Sequence, residues 1–201
     1  MSASWFSLLA ALVAFVVAFL FYKKKQRLRL AGKTLFASVF VLGLGYLIKF
    51  LLQLIDADQE WFVSVELCWL LSVTLILTTL ANILRDDKPV FARYPLSFTF
   101  LPIIILPFYP FIYNTTVIKN WILGLYQIGA IVISLLLFGL MYYRDHSFKS
   151  VIMTWALFFF AWLVHWFSLG QFMNEWLTPL LIGIGMILGL NAFKQVSILE
   201  N

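Results

Sequence analysis

The sequence predicts an all-α, polytopic integral membrane protein of seven transmembrane helices, and three observations carry that reading. Hydrophobic residues make up 63% of the chain and charged residues 11%, whereas a soluble domain is roughly a quarter charged. The apolar residues fall into runs of roughly 17 to 25 separated by short polar knots, the length that crosses about 30 Å of hydrocarbon at a rise of 1.5 Å per residue. Lysine and arginine, finally, gather in alternate connections. A β-barrel would instead show segments of about ten residues alternating apolar and polar, and no such alternation is present.

In chain order the predicted spans are Ser4 to Tyr22, Thr34 to Ile55, Trp61 to Leu84, Leu96 to Tyr113, Trp121 to Tyr143, Val151 to Leu169 and Trp176 to Phe193. The first is not a cleavable signal peptide, because no basic residue precedes it and the cluster Lys23, Lys24, Lys25, Arg27 and Arg29 follows it. That order holds the cluster in the cytoplasm and sends the N-terminus outside. With the C-terminus cytoplasmic, twelve of the fourteen basic residues lie on the cytoplasmic side; Lys119 falls in an outer loop and Lys49 within a span. A wrong number of spans would scramble this asymmetry. The reading places the protein in a plasma or bacterial inner membrane, with the basic cluster against anionic lipid headgroups.

Trp5, Tyr22, Trp61, Tyr94, Tyr113, Trp121, Tyr142, Tyr143 and Trp176 stand near predicted span ends, the depth at which such rings are favoured. The fourth span differs from the rest in opening on Pro95 and holding Pro102, Pro107 and Pro110. Each internal proline removes a backbone donor and presses on the preceding turn, so a kink or partial unwinding is expected there.

An internal echo joins the two halves. Tyr46-Leu47-Ile48-Lys49-Phe50 and Trp162-Leu163-Val164-His165-Trp166 both read aromatic, Leu, β-branched, basic, aromatic. Glu60-Trp61 and Glu175-Trp176 then follow at nearly equal distances. The pattern fits a parallel repeat of three spans on each side of the odd fourth helix.

Ionisable groups inside spans are costly and point to function. Three stand out as candidate ligand-binding residues: Lys49, Glu66 and His165. By helical rise they lie about 10, 8 and 6 Å below the outer ends of their helices, which puts them in one layer. Lys49 and Glu66 flank a short turn and are placed to neutralise each other, although both could also snorkel to water. His165 reads equally as an interhelical hydrogen-bonding residue. Tyr126, Gln127, Ser64 and Ser168 extend the layer if their faces point inward.

Gly185 and Gly189 form a GxxxG pair in the seventh span, expected to pack closely on a helix partner, either within the chain or in a second subunit. Cys68 reads as a small buried hydrophobe, and Asn114-Thr115-Thr116 matches a glycosylation sequon close to the membrane. No triad, metal-ligand spacing or phosphate-binding loop is present, so no enzyme activity and no cofactor is expected. A basic folded surface for nucleic acid is also lacking. Two functional readings remain: a small-molecule or ion transporter with an outer-leaflet polar site at Lys49, Glu66 and His165, or a non-catalytic receptor, sensor or assembly subunit acting through helix contacts.

Overall fold

The computed structural model describes residues 4–23, 30–56, 61, 63–87, 93–112, 116–144, 146, 149–167 and 171–196. Residues 24–29 of the basic cluster, Ser168, and Asn114 and Thr115 of the sequon lie outside them. The described residues are helical nearly throughout. Seven α-helices are formed: α1 (Ser4–Lys23), α2 (Leu30–Leu54), α3 (Val63–Asp87), the single turn α4 (Tyr109–Ile112), α5 (Thr116–Arg144), α6 (Lys149–Trp166) and α7 (Gln171–Val196). Between α3 and α4 runs a 3-10 helix, Leu96–Phe108.

Four of these are long and apolar enough to cross a bilayer, over Leu30–Leu54, Val63–Arg85, Asn120–Tyr143 and Lys149–Trp166. The apolar stretches Trp5–Leu20, Leu96–Phe108 and Glu175–Leu190 are shorter.

The helices are built inside out relative to a soluble bundle. On α1, Trp5, Leu9, Leu12, Val16 and Phe19 recur every three or four residues and are exposed, while Ser7, Ala10, Ala11, Ala14 and Ala18 are buried. Large apolar side chains face outward and small ones meet the neighbouring helices, as expected where lipid is as apolar as leucine and close backbone approach supplies the attraction. Gly43 of α2 serves that approach, since a Cβ there would stand 2.9 Å from Ala14 Cβ. Across the α2–α3 seam, buried hydroxyls pair: Thr34 Oγ1 with Thr79 Oγ1 at 2.8 Å, and Ser38 Oγ with Ser72 Oγ at 3.1 Å. Just past the end of α2 stands Asp56, whose φ of 50° is the left-handed conformation that Asp tolerates better than most residues.

Neighbour relations close a ring. Helix α1 packs on α2, α2 on α3, α3 on α5, α5 on α6, α6 on α7, and α7 back on α1. The 3-10 helix lies outside this ring against α3. Its exposed residues Phe98, Leu101, Ile104 and Pro107 recur every third position, the period of a 3-10 helix, and Thr99 on another face is buried. Three prolines between residues 102 and 110 deny the chain a continuous i→i−4 ladder. Bonds of the i→i−3 type replace it at the ends, with Phe98 N–H donating to Pro95 O at 3.1 Å and Tyr109 N–H donating to Leu106 O. The disruption expected from the prolines is therefore a change of helix type over the whole segment, not a local kink.

Gly185 and Gly189 face α6 of the same chain. A Cβ at Gly185 would fall 2.7 Å from Phe158 Cε1, and one at Gly189 would fall 3.5 Å from Thr154 Cγ2.

Candidate functional site

Trp69 organises the layer that holds the intramembrane charges. It sits on α3 against Gly45 of α2, where a Cβ would stand 3.0 Å from its Cδ1, so the absence of a side chain at 45 seats the indole. Lys49 Nζ lies over the ring at 5.6 Å from the centroid, a cation–π arrangement. The imidazole of His165 meets the same ring edge-on, with centroids 5.6 Å apart and planes at 87°. Tyr46 packs on it at 5.9 Å. The two basic residues that echo each other in the sequence thus share one aromatic partner.

Glu66 is only one turn from Trp69 yet is turned toward the 3-10 side. Its Oε2 accepts a hydrogen bond of 2.6 Å from Tyr109 Oη. Tyr109 is fully buried, packed with Leu70 and Leu123, and stands where the 3-10 helix gives way to α4. Lys49 meanwhile keeps its Nζ over the Trp69 ring. Lys49 and Glu66, expected as an ion pair across the hairpin, have taken different partners. Depth in the membrane follows from counting residues, but the azimuth advances about 100° per residue, and it sends these two side chains apart.

Of the residues expected to extend the layer, Gln127 does so. Its Oε1 accepts a hydrogen bond of 2.7 Å from Trp166 Nε1, and Trp166 meets His165 edge-on at 5.5 Å. Tyr126 packs in the cluster around Tyr109. Ser64 is exposed and donates to Trp61 O at 2.7 Å.

Inside the ring lie two cavities. The upper one, at the Trp69 layer, has a volume of about 110 Å³ and is walled by α2, α3, α5, α6 and α7, with Tyr46, Trp69, Ser72, Gln127, Trp162 and His165 among its residues. A lower cavity of about 90 Å³ lies toward the end of the bundle that carries Lys33 and Arg85, and all six ring helices contribute to it, including Ser38, Thr79, Phe138 and Thr154. Leu42, Ile76, Trp155 and Phe158 belong to both walls and so stand between the cavities. Trp155 and Phe158 cross edge to face at 5.4 Å, and the Phe158 ring rests on Gly185.

His165 lines the upper cavity; Lys49 and Glu66 do not. Sequence reasoning read Trp162 only as part of the internal echo, and passed over Trp69, Phe158 and the Ser38–Ser72 pair. A signal for the last existed: Thr34 and Ser38 are four residues apart, and Ser72 and Thr79 seven apart, each pair on one helical face. Among the described residues, no three His, Cys, Asp or Glu side chains come together as a metal site. No known protein family, curated protein or solved structure is detectably similar to this chain.

Proposed function

We propose that the chain is a seven-span permease, without enzyme activity, that passes a small molecule through the centre of its helix ring. The observation that carries this reading is the pair of stacked cavities divided by Leu42, Ile76, Trp155 and Phe158. A site near mid-membrane, open toward one side at a time past a thin aromatic partition, is the arrangement alternating access requires. Beyond the four long apolar helices, α1 and α7 contain 20 and 26 residues, about 30 and 39 Å of α-helix. The 3-10 segment supplies the seventh crossing. The N-terminus lies outside, the C-terminus in the cytoplasm, and Lys23, Lys24, Lys25, Arg27 and Arg29 contact anionic headgroups.

The proposed three-span repeat is supported by the ring itself. Exchanging α1, α2 and α3 with α5, α6 and α7 carries each ring contact onto another, because α3 on α5 exchanges with α7 on α1. The same exchange relates Tyr46 to Trp162, which both line the upper cavity. It also relates Lys49 to His165, which both contact Trp69. In this reading Trp69 holds the two basic side chains at the outer mouth, and Glu66 acts through Tyr109 to fix the position of the 3-10 helix.

Thiol labelling tests both topology and conduit. In a Cys68→Ser background, cysteines at Ser2 and Gln59 are expected to react with an impermeant reagent applied to intact cells, and cysteines at Gln26, Ser147 and Ser197 are not. Reaction at Gln26 would overturn the orientation. Cysteines at Ser72 and Thr178 in the upper cavity, and at Thr154 in the lower, are expected to react with a small water-borne methanethiosulfonate. Should all three stay inert while Gln59 reacts, the ring interior is sealed, and the alternative of a module working through helix contacts takes the permease's place.

A further inference from the structure

From the chemistry of the two cavity walls we infer that the solute is small, uncharged and hydroxylated; this rests on the permease reading and narrows its substrate class. Among the described residues no Asp, Glu, Lys or Arg lines either cavity, and the one ionisable group with basic character is His165 in the upper wall. An inorganic ion gives up hydration water only where charges or a ring of carbonyl oxygens replace it. These walls supply neither. A purely apolar solute, for its part, dissolves in the bilayer and gains nothing from buried hydroxyls.

The walls are of two kinds. Helices α2 and α3 contribute hydroxyls along the length of the path: Tyr46 and Ser72 above, Ser38 and Thr79 below. Across the ring from α2, helix α6 contributes mainly aromatic surface, the rings of Trp162, Phe158 and Trp155, beside His165 above and Thr154 below, whose hydroxyl donates to Ser150 O. The hydroxyl side does not stop at the aromatic partition. Ser72 lines the upper cavity and Ser38 the lower, and they bond to each other at 3.1 Å, with Ser38 Oγ also donating to Ser72 O at 2.9 Å. Thr79 is likewise paired with Thr34.

The hydroxyls of each pair satisfy each other within the wall, and each can exchange that partner for a solute hydroxyl. A solute with hydroxyls along one edge and C–H groups along the other can keep its hydrogen bonds on the α2–α3 side while its carbon edge slides over the α6 rings. Size sets the upper limit. A cavity of roughly 150 Å³ accepts benzene, and the cavities here are smaller, about 110 and 90 Å³, so benzene's six non-hydrogen atoms are the upper bound on the solute.

Glycerol is the probe that fits this description. Purified protein in liposomes is expected to admit glycerol faster than protein-free liposomes in stopped-flow light scattering, and to pass neither potassium nor chloride by a potential-sensitive dye. Ser72→Ala and Ser38→Ala should each slow glycerol about fivefold, the equivalent of one neutral hydrogen bond lost in transit. Ser97→Ala, on the exposed start of the 3-10 helix, should not. Both serine changes are small deletions, and a monodisperse elution profile establishes that each variant is folded. Ion flux without glycerol flux overturns the inference and leaves the permease standing. So does the absence of both fluxes when the cavity cysteines react. Equal glycerol rates in the wild type and both serine variants overturn the assignment of the hydroxyl wall. Absence of all flux with unreactive cavity cysteines removes the permease reading itself.

Discussion

Gly43→Ala is expected to destabilise the protein by about 1–3 kcal/mol, the range for forcing extra volume into a close-packed interface. The new methyl would stand 2.9 Å from Ala14 Cβ and 3.3 Å from Phe15 Cε1. A phenylalanine ring can turn away, but an alanine Cβ is fixed to its backbone, so α1 and α2 must separate. Their separation would loosen two clusters, because Ala14 packs with Val17 and Met186, and Ala10 and Ala11 pack with Tyr46. Gly129→Ala and Gly139→Ala are suitable controls, since a Cβ at either meets nothing within 4 Å. A lower midpoint of thermal unfolding in detergent for Gly43→Ala, with both controls near wild type, is the expected result. A wild-type midpoint for Gly43→Ala would mean that the α1–α2 approach is looser than described.

Tyr109→Phe is expected to cost about 1–2 kcal/mol, the scale of an interhelical hydrogen bond in a membrane protein. The change keeps the ring that fills the space beside Leu70 and Leu123 and removes only the hydroxyl that donates to Glu66. If the two groups act as a pair, Glu66→Gln in the Tyr109→Phe background should add less than it does alone. The coupling from the four-protein cycle then reports the bond. Lys49→Met provides the contrast. Because Lys49 lies over Trp69 while Glu66 accepts from Tyr109, its effect should add to that of Glu66→Gln within about 0.5 kcal/mol. Strong coupling between positions 49 and 66 would restore the ion pair that the hairpin invited and contradict the partners assigned here.

These two experiments mark where the sequence was readable. The apolar runs announced the helices because bilayer thickness and helical rise leave little freedom in length. The same counting put Lys49 and His165 at one level, and both meet Trp69. The partner of Glu66 did not follow, because Tyr109 reaches Glu66 from 43 residues away and nothing in the local pattern fixes the rotation of α3 about its axis. The cavities were hidden for a similar reason. A cavity depends on which faces of six helices meet, and Ser38 and Ser72 look like ordinary small polar residues until they are placed opposite each other. The prolines told where an α-helical ladder fails, but not what replaces it.

The replacement alters the reach of the chain. As an α-helix the thirteen residues Leu96–Phe108 would measure about 20 Å; as a 3-10 helix, rising about 2.0 Å per residue, they measure about 26 Å. With the four residues of α4 the segment extends to about 32 Å, close to the roughly 30 Å of a hydrocarbon slab. In the proposed seven-span arrangement, seventeen residues, thirteen and four, thus cover a thickness that usually takes about twenty. Stretch of this kind is conditional. Rewinding the segment to α geometry would shorten it by about 6 Å, roughly one helical turn. With Tyr109 tied to Glu66 at one end, that retraction falls on the other, drawing Tyr94 and Pro95 inward from the membrane surface. In that proposed arrangement the thickness of the surrounding bilayer bears directly on which helix type the proline segment can keep.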